Sequence, residues 1–445
     1  MSSQQPTLDG LAARAYELAK AITTYMDANN LVAPSFAADS SNYSPAPEIQ
    51  GPRLELLTVA ADLYQLALGA HDFVFLQPPY VNMDIMSLDV LNQFNFFSAV
   101  PLTGSASYAE ISKATKLPES VVRRILNWTM IQHIFSENAD GRVIHTAITA
   151  AILQSPNRQS WLAHWFQEFS KGSVHQAESL RRFTVGHDEL SEEVLESAFA
   201  IADVGGVGHP TSFWEYLDGE VAGKPRDFRS KRFAEAMQVV SMAFSANVSD
   251  LLKACYPWEE LGEATVVDVG GSSGQDAIIL ARLYPKLNIV VQDLGAVELT
   301  FTNNIPEDVK PRIRYEVHDF FKPQTTSADI YFLKMILHDW PDKYGAKILA
   351  GLAAALRDNP KARIIICDVV QHVPTSRGDI VAPIPTAIRK TQSVMDLAML
   401  GYFNAKERSI DGWNHVISQA SEQLELKRVT AVPGAVYSIL EIGLC

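Results

Sequence analysis

The chain has 445 residues, of which 47% are hydrophobic and 20% are charged, and this composition is typical of a soluble globular protein with more than one domain. Its formal net charge of -14 disfavours contact with a phosphate backbone, so we expect no nucleic-acid partner. No apolar run reaches the ~20 residues that a membrane helix needs, so we expect no membrane association.

The cysteines and the first residues of the chain indicate where the protein works. Cys255, Cys367 and Cys445 are odd in number and widely spaced, so they predict neither a disulfide framework nor a zinc site. We expect no bound metal. Residues 1–7 lack the basic and apolar stretches of a secretory signal. We therefore expect a cytoplasmic protein.

Apolar helices are predicted near the N-terminus. Residues 8–29 carry apolar side chains at helical spacing, whereas 35–52 are rich in Ser, Ala, Pro and Asn and are typical of a loop. The helical pattern returns at 53–70, and 87–98 suit a buried helix. Because these apolar stripes exceed what one small domain can bury, they predict a homodimer.

The next segment has the spacing of a winged helix. Ser107 and Glu110 form a capping box before a first short helix, and a second helix is predicted over 119–131. Residues 135–145 then resemble strand, turn and strand. A winged helix can bind DNA, but the second helix carries only two arginines and the chain is acidic. We therefore expect a structural or dimerising role.

From residue 263 onward, short β-branched runs alternate with helical segments. This alternation predicts an α/β fold with a parallel sheet and crossover helices. The predicted strands span 265–269, 289–292, 313–317, 328–333, 363–367 and 436–441.

A glycine-rich turn follows the first of these strands. Gly270, Gly271 and Gly274 allow a sharp turn and the close approach of a ligand. A dinucleotide fingerprint would also need glycine where Ser272 and Gln275 stand, so a dinucleotide cofactor is excluded.

Acidic residues around the turn favour a cationic nucleoside. Asp276 at the helix start would repel a pyrophosphate, whereas Asp268 just before the turn can attract positive charge. Asp293 ends the second strand, where a carboxylate accepts hydrogen bonds from ribose hydroxyls; the alternative is that it only caps the next helix. We predict the sulfonium cofactor S-adenosylmethionine (SAM).

Several motifs occur together in a fixed order. They are Asp-Val-Gly-Gly-x-x-Gly at 268–274, Val-Gln-Asp-Leu at 291–294, His-Asp-Phe-Phe at 318–321, Leu-Lys-Met-Ile-Leu-His-Asp-Trp at 333–340 and Lys-Glu-Arg at 406–408. With upstream segments at 213–217 and 232–237, they resemble the plant and fungal small-molecule O-methyltransferases of the caffeate and hydroxyflavonoid type. The likeness begins near residue 53 and runs to the C-terminus.

The resemblance implies a domain order and an assembly. It implies a doubly wound class I SAM-methyltransferase sheet, preceded by a mostly helical winged-helix dimerisation domain. We expect an N-terminal helix and linker over 1–52, the dimerisation domain over 53–225 and the SAM-binding catalytic domain over 226–445. It also implies an intertwined homodimer that acts on a small-molecule substrate.

The resemblance further implies roles for single residues. Asp293 meets the cofactor ribose, and its neighbour Leu294 also belongs to the cofactor site. Asp319 and Phe320 hold the adenine, and Lys334 reaches the cofactor or the substrate. Met237 lines the acceptor pocket. We expect Asp339 and Trp340, beside the catalytic histidine, to contact the acceptor as well.

His338 is the predicted general base. A histidine after a strand can deprotonate a phenol or enol, because its ordinary pKa lies near neutrality. The resemblance implies that Asp368 and Glu407 orient its imidazole, and Asp368 stands where many relatives carry glutamate. A structural histidine is the alternative, and the surrounding motifs favour the base. The roles of His133 and His164 stay open.

A second enzyme class is compatible with the same motifs. Some fungal proteins that resemble this family are pericyclases, which dehydrate a precursor and steer Diels–Alder or Alder-ene closure without methyl transfer. Such an enzyme needs a cationic donor over a carbonyl, and Lys334 at a strand end has the right charge. Lysine at this position also occurs in ordinary methyltransferases. The presence of His338 with Asp368 and Glu407 favours O-methyl transfer.

Overall fold

The computed structural model describes residues 6–371, 386–431 and 436–445, which divide into two units. The first unit contains 6–171, 214–240 and 386–390, and the second contains 172–213, 241–371, 391–431 and 436–445. Both units are discontinuous in sequence. A division into the consecutive domains 1–52, 53–225 and 226–445 therefore stays a prediction.

Two long helices begin the first unit, namely α1 (Leu8–Ala28) and α2 (Pro47–Gln93). α1 starts where the sequence predicts, because the Thr7 side chain accepts a hydrogen bond from the Gly10 N–H and caps the helix. Apolar residues of α1 pack against Val59 of α2, so the predicted apolar stripes face each other in part.

The bounds of α2 differ from the prediction. The stretch begins at Pro47, inside the predicted loop, and residues 71–86 continue it to Gln93, so it includes only 87–93 of the predicted helix 87–98. Residues 96–99 form a separate short helix. Gly69 has φ 71° and ψ 163°, so the stretch is kinked there. Proline suits the first helical turn, since its missing N–H has no helical partner, and this explains the early start.

The helix–turn–helix and hairpin segment agrees with the prediction. Both bonds of the capping box are present: the Glu110 N–H donates to Ser107 Oγ at 3.2 Å, and the Ser107 N–H donates to Glu110 Oε2 at 2.6 Å. The elements are α3 (Phe96–Ala99), α4 (Tyr108–Thr115), α5 (Glu119–Ile131), β1 (Ser136–Glu137) and β2 (Val143–Ile144), and β1 pairs antiparallel with β2.

Short helices follow the hairpin and lead to the main sheet. A π-helix, His164–Phe169, continues directly from one of them. The α-helices are α6 (Ala147–Leu153), α7 (Pro156–Ala163), α8 (Ser170–Ser173), α9 (Gln176–Phe183), α10 (Ala198–Ile201), α11 (Phe213–Asp218) and α12 (Phe228–Cys255). None of the helices in the described residues combines the length and the apolar character needed to cross a membrane.

The second unit is built on a sheet to which eight strands of the described chain contribute. Its elements are β3 (Ala264–Val269), α13 (Gln275–Leu283), β4 (Leu287–Asp293), α14 (Glu298–Asn304), β5 (Ile313–Val317), β6 (Ile330–Lys334), α15 (Asp342–Asp358), β7 (Arg363–Gln371), α16 (Thr386–Phe403), β8 (Arg408–Ser409), α17 (Ile410–Ala420), β9 (Leu424–Ala431) and β10 (Tyr437–Leu444).

The strand order is β5-β4-β3-β6-β7-β10-β9, with β8 beside β7. The five strands from β5 to β7 are parallel, whereas β10 is antiparallel to both β7 and β9. The order reverses between β3 and β6, so the carboxyl ends of β3, β4 and β6 meet at one edge, where doubly wound sheets bind ligands. The predicted α/β fold is confirmed.

Both faces of the sheet are buried, which explains the continuous apolar runs of its strands. Val266 and Ile289 pack into the apolar layer that contains α13. Their neighbours Val267 and Val290 pack into the layer of α15 and α17 on the opposite face. Alternate residues of each strand therefore contribute to different layers.

Two strands were missed by the sequence analysis. β9 reads Leu-Glu-Leu-Lys-Arg-Val-Thr-Ala and is exposed at most positions, so it lacks the apolar run of a central strand. β8 has only two residues, of which Arg408 pairs with Val370. A mostly exposed edge strand carries little hydrophobic signal, and a strand of two residues is too short to show a pattern.

Candidate active site

The glycine-rich turn joins β3 to α13 at the reversal point of the sheet. Gly270 and Gly274 have φ of 73° and 78°, in the left-handed region that favours glycine. A Cβ on Gly270 would lie 2.6 Å from Ile336 Cδ1, and a Cβ on Gly271 would lie 2.5 Å from Asp268 Oδ2. The turn is therefore closely packed and has no room for side chains at these positions.

Asp268 is buried at the base of this turn. Asp268 is only 2% exposed, and its Oδ2 atom has no hydrogen-bond partner among the described residues. Burial, reinforced by the charge of Asp276, raises the pKa of Asp268 well above its usual value. A buried carboxylate oxygen without a donor is costly, so it marks a place where a ligand can donate or bring positive charge.

Asp293 ends β4 and is bound to the same turn. Its Oδ2 accepts from the Ser272 N–H at 2.9 Å, and its Oδ1 accepts from the Leu294 N–H at 2.7 Å. Burial raises the pKa of the Asp293 carboxyl. Helix α14 begins only at Glu298, so this carboxylate contacts the turn and its own neighbour Leu294 rather than the next α-helix.

The segment after β5 lies beside Asp293. The His318 N–H donates to the Asp293 carbonyl oxygen at 3.0 Å. The Phe320 ring comes within 3.8 Å of the position that a Cβ on Gly270 would take. Phe320, which is half-buried, therefore lies beside the turn, and Asp319 precedes it in the chain. Their role in holding the adenine stays a prediction.

Lys334 forms an ion pair beside the turn. It ends β6, and its Nζ lies 2.7 and 2.9 Å from the two carboxylate oxygens of Asp276 in the first turn of α13. Burial alone would lower the pKa of Lys334, but the charge of Asp276 raises it. Lys334 is therefore near the other predicted residues, with its charge already opposed by a carboxylate.

His338 lies in a short 3₁₀ turn, Leu337–Asp339, between β6 and α15. Its Nδ1 is 2.9 Å from Glu407 Oε1 and 3.8 Å from Asp368 Oδ1, and its Nε2 is 3.4 Å from Asp339 Oδ1. Because an ionised carboxylate only accepts hydrogen bonds, Nδ1 carries a proton and donates a hydrogen bond to Glu407. The structure thus brings the predicted base and both predicted acids together.

The acids around His338 set its protonation. Burial opposes a charge on the imidazole, but the carboxylates of Asp368, Glu407 and Asp339 outweigh burial and raise the pKa of His338 to about 10. Burial in turn raises the pKa of Asp339 to about 7 and that of Asp368 to about 7. These buried groups interact too closely to ionise independently, so they titrate as one cluster.

Two carboxylate oxygens of the cluster are left over after these contacts. Asp368 Oδ2 and Glu407 Oε2 have no hydrogen-bond partner among the described residues. His338, Asp368 and Glu407 each offer an atom that could ligate a metal, and these atoms lie within 4.8 Å of one another. The bond from His338 to Glu407 explains their proximity without an ion. The expected absence of a metal stays a prediction.

Arg408 supports the His338 turn, although the sequence analysis assigned it no role. It is 1% exposed and donates to the carbonyl oxygens of Leu337 at 2.7 Å and Trp340 at 2.6 Å. Its Nε donates to Asp342 Oδ1 at 2.8 Å. The available signal was its place directly after Glu407 in the Lys-Glu-Arg motif.

Trp340 and Met237, both predicted to contact the acceptor, lie in different units. The Trp340 ring packs edge-on against Phe321, with ring centroids 4.7 Å apart, and lies near Tyr344. Met237 is half-buried on the part of α12 that belongs to the first unit. Roles for both in acceptor binding stay predictions.

Two further histidines lie in the first unit. His133 is exposed, adopts φ 58° and stacks on Phe36 with ring centroids 3.8 Å apart. His164 is buried in the π-helix, with Nδ1 2.7 Å from Glu168 Oε2. Arg232, which is partly buried, also donates to Glu168, so this carboxylate is paired with a cation. These contacts explain both histidines structurally.

Sequence comparisons relate the chain to O-methyltransferases. Residues 213–422 match the family model described as an O-methyltransferase domain. The O-methyltransferase lcsG of Purpureocillium lilacinum is 31% identical over 412 residues, which cover 91% of this chain and 86% of that protein.

Solved structures share the fold over nearly the whole chain. OxaC, in complex with SAH and oxaline, is 22% identical with a TM-score of 0.72, and the match covers 98% of this chain and 100% of that one. A structure described as a pericyclic reaction enzyme is 19% identical with a TM-score of 0.71, and the match covers 97% and 100%. Each likeness shows a shared fold.

The cluster geometry predicts how a single acid controls His338. Glu407→Gln removes a negative charge 2.9 Å from the imidazole, so the pKa of His338 should fall by about 1 or more. A nuclear magnetic resonance titration of the His338 imidazole measures this value. Glu425→Gln, which changes an exposed glutamate on β9, is the matched control and should leave it unchanged. An unaltered pKa in Glu407→Gln would mean that Glu407 does not hold the imidazolium.

Proposed function

The chain belongs to the O-methyltransferase family, and on this basis we propose that it transfers a methyl group from SAM to a hydroxyl of an aromatic or polyketide-type small molecule. The observation that carries the proposal is the buried His338, held at Nδ1 by Glu407 at 2.9 Å. An imidazole with one nitrogen fixed by a carboxylate is the arrangement of a general base. The fungal relatives favour a role in secondary metabolism.

The residues at the turn fit SAM. The unpartnered, buried Oδ2 of Asp268 suits a cationic ligand, and the left-handed backbone at Gly270 and Gly274 forms the sharp turn beside it. Asp293 would bind the ribose hydroxyls, and Leu294, more than half exposed, would cover the nucleoside. Asp319 and Phe320 would hold the adenine. When bound, SAM supplies an electrophilic methyl group.

His338 prepares the acceptor. With Nδ1 bonded to Glu407, the imidazole presents Nε2 to the acceptor hydroxyl and takes its proton there. Glu407 and Asp368 stabilise the imidazolium that forms, as their effect on the pKa of His338 requires. The acceptor oxygen is left with the electron pair it needs as a nucleophile. Only the neutral imidazole can act, so turnover should rise with pH across the neutral range.

The chemistry of the cluster restricts the acceptor class. A base whose conjugate acid is stabilised by two carboxylates suits a phenol or enol, since these hydroxyls are acidic enough to be deprotonated by an imidazole. Aliphatic alcohols are far weaker acids. Trp340, next to Asp339 and packed against Phe321, would offer an aromatic surface to a planar acceptor.

A pericyclase is the second candidate, favoured by the fold that the chain shares with a pericyclic reaction enzyme. In that reaction Lys334 would polarise a substrate carbonyl. However, both oxygens of Asp276 lie within 2.9 Å of Lys334 Nζ, so its charge is already engaged. Methyl transfer, which uses His338, is better supported by these contacts.

The first unit is proposed to serve as a winged-helix dimerisation domain in a cytoplasmic homodimer. Several large apolar side chains of α2 are solvent-exposed, among them Phe75 at 77%. Apolar side chains on one long helix are typical of surfaces that bind a second protein, and closed homodimers are the commonest assemblies. The helices α4 and α5 and the β1–β2 hairpin fit the winged-helix part of this proposal.

Loss of the Asp293 carboxylate should weaken SAM binding. Asp293→Ala removes the group that would accept from the ribose, so the binding free energy should become less favourable by about 1.5–3 kcal/mol. Isothermal titration calorimetry with SAM measures the change. Asp308→Ala, at an exposed aspartate paired with Arg282, is the control and should bind SAM as wild type does. Equal affinity in both variants would remove Asp293 from the cofactor site.

His338 and Lys334 separate the two candidate reactions. In a methyltransferase, His338→Ala should lower kcat by ~10²–10⁴, the usual contribution of a general base, while Lys334→Ala acts mainly on SAM affinity. The assay follows methyl-labelled SAM with a panel of phenols and aromatic polyketides. His415→Ala, at an exposed histidine on α17, is the control. Conversion of a substrate to an isomer of equal mass without consumption of SAM would exclude the methyl-transfer proposal.

Light scattering tests the proposed dimer. The wild-type protein should have twice the mass of one chain, and Phe75→Glu should shift it toward the monomer because it places a charge on the exposed apolar part of α2. Leu299→Glu, at an equally exposed leucine on α14 in the second unit, should leave the mass unchanged. A wild-type monomer at micromolar concentration contradicts the proposal.

A further inference from the structure

We propose that Arg408 is a positioning residue for His338, which it controls by holding the main chain on both sides of the 3₁₀ turn. This inference rests on the proposed function, because it assigns a task within the same reaction. Arg408 donates to the carbonyl oxygens of Leu337 and Trp340, and these residues flank His338 and Asp339 in the chain.

The turn needs such support because it has little stability of its own. It contains three residues, and Met335, two residues before it, has φ 55°, a conformation that is unfavourable for residues other than glycine. Within the turn, the Leu337 carbonyl oxygen accepts only a long bond, from the Trp340 N–H at 3.3 Å. Arg408 binds the carbonyl oxygen of Leu337, in the turn, at 2.7 Å and that of Trp340, directly after it, at 2.6 Å, so the guanidinium supplies hydrogen bonds that a longer helix would provide.

The Lys-Glu-Arg motif holds the turn from two directions. Glu407 binds the His338 imidazole, whereas Lys406 and Arg408 both bind Asp342, at 2.7 and 2.8 Å. Neighbouring residues of the motif therefore hold both the His338 side chain and the main chain of the turn. Asp342 also starts α15, which anchors the far end of the turn.

The chemistry of Arg408 fits this task better than that of a lysine. A guanidinium presents five N–H donors in a rigid plane and can bind three acceptors in different directions at once. An ammonium on a flexible stem cannot span the same three oxygens. The positive charge of Arg408 also favours the ionised form of Asp368, although burial dominates and raises the pKa of that carboxyl.

Arg408→Lys tests the proposal, because it keeps the charge and removes the planar set of donors. We expect kcat to fall by about 10², the effect of a catalytic group displaced by about an ångström, with SAM affinity unchanged. The probe is the phenol of the panel that the wild-type protein methylates fastest. Arg363→Lys is the matched control, since Arg363 also donates to three main-chain carbonyl oxygens, at the opposite end of β7.

A second readout needs no turnover. The His338 Nδ1 proton, bonded to Glu407 in the wild type, should exchange with solvent faster in Arg408→Lys and keep its wild-type rate in Arg363→Lys. Nuclear magnetic resonance of the labelled imidazole measures this exchange. A merely structural arginine would change the melting temperature in both variants without loosening this one bond. Should the wild type methylate nothing, the proposed function fails, and the exchange rate still decides the role of Arg408.

Asp342→Asn keeps the test decisive if Arg408→Lys does not fold. It leaves Arg408 in place and weakens the bond between Arg408 and residue 342. We therefore expect a smaller loss of kcat and a smaller gain in exchange rate than in Arg408→Lys. If Arg408→Lys folds and keeps the wild-type kcat and exchange rate, the proposal is overturned. If only Asp342→Asn folds, the same result in that variant overturns it. Equal losses in Arg363→Lys would overturn it too.

Discussion

The burial of one imidazole among three carboxyl groups is the constraint on which the rest of the site depends. His338 is only 5% exposed, so its charge depends on the carboxylates of Asp368, Glu407 and Asp339. A buried charge without such partners would be prohibitively costly. The acids therefore keep the imidazole oriented, fix its Nδ1 proton and determine the pH at which Nε2 becomes a base.

The sheet explains how residues distant in sequence serve this one imidazole. Asp368 lies near the carboxyl end of β7, Lys334 ends β6, and the glycine-rich turn follows β3. Parallel neighbours end at the same edge, so the chain order β3, β6, β7 becomes a row of functional groups. Glu407 joins this row because β8 pairs with β7.

Much of this arrangement was predictable from sequence, because it depends on local patterns. The glycines, the apolar strands and the motif order indicated the family and the α/β fold, both of which are confirmed. The proximity of His338 to Glu407, 69 residues apart, was available only through the resemblance. Neither spacing nor periodicity carries information on which distant residues meet.

Other features were beyond sequence patterns for physical reasons. The ion pair of Lys334 with Asp276 depends on how α13 packs against β6, and the three bonds of Arg408 depend on main-chain oxygens that every residue possesses. The fusion of two predicted helices into α2 reflects the helical conformation of residues 71–86 on the far side of the Gly69 kink. Each is a tertiary outcome rather than a local preference.

The most direct test of the account is the pH dependence of single-turnover methyl transfer, compared between the wild type and Asp368→Asn. The wild-type rate should rise with pH along a limb that reports the deprotonation of His338. Asp368→Asn removes a negative charge that lies beside the imidazolium. This change lowers the pKa of His338, so the limb should move to lower pH. A rate that does not depend on pH, or a limb that stays in place in Asp368→Asn, would contradict the claim that His338 is a base governed by its buried acids.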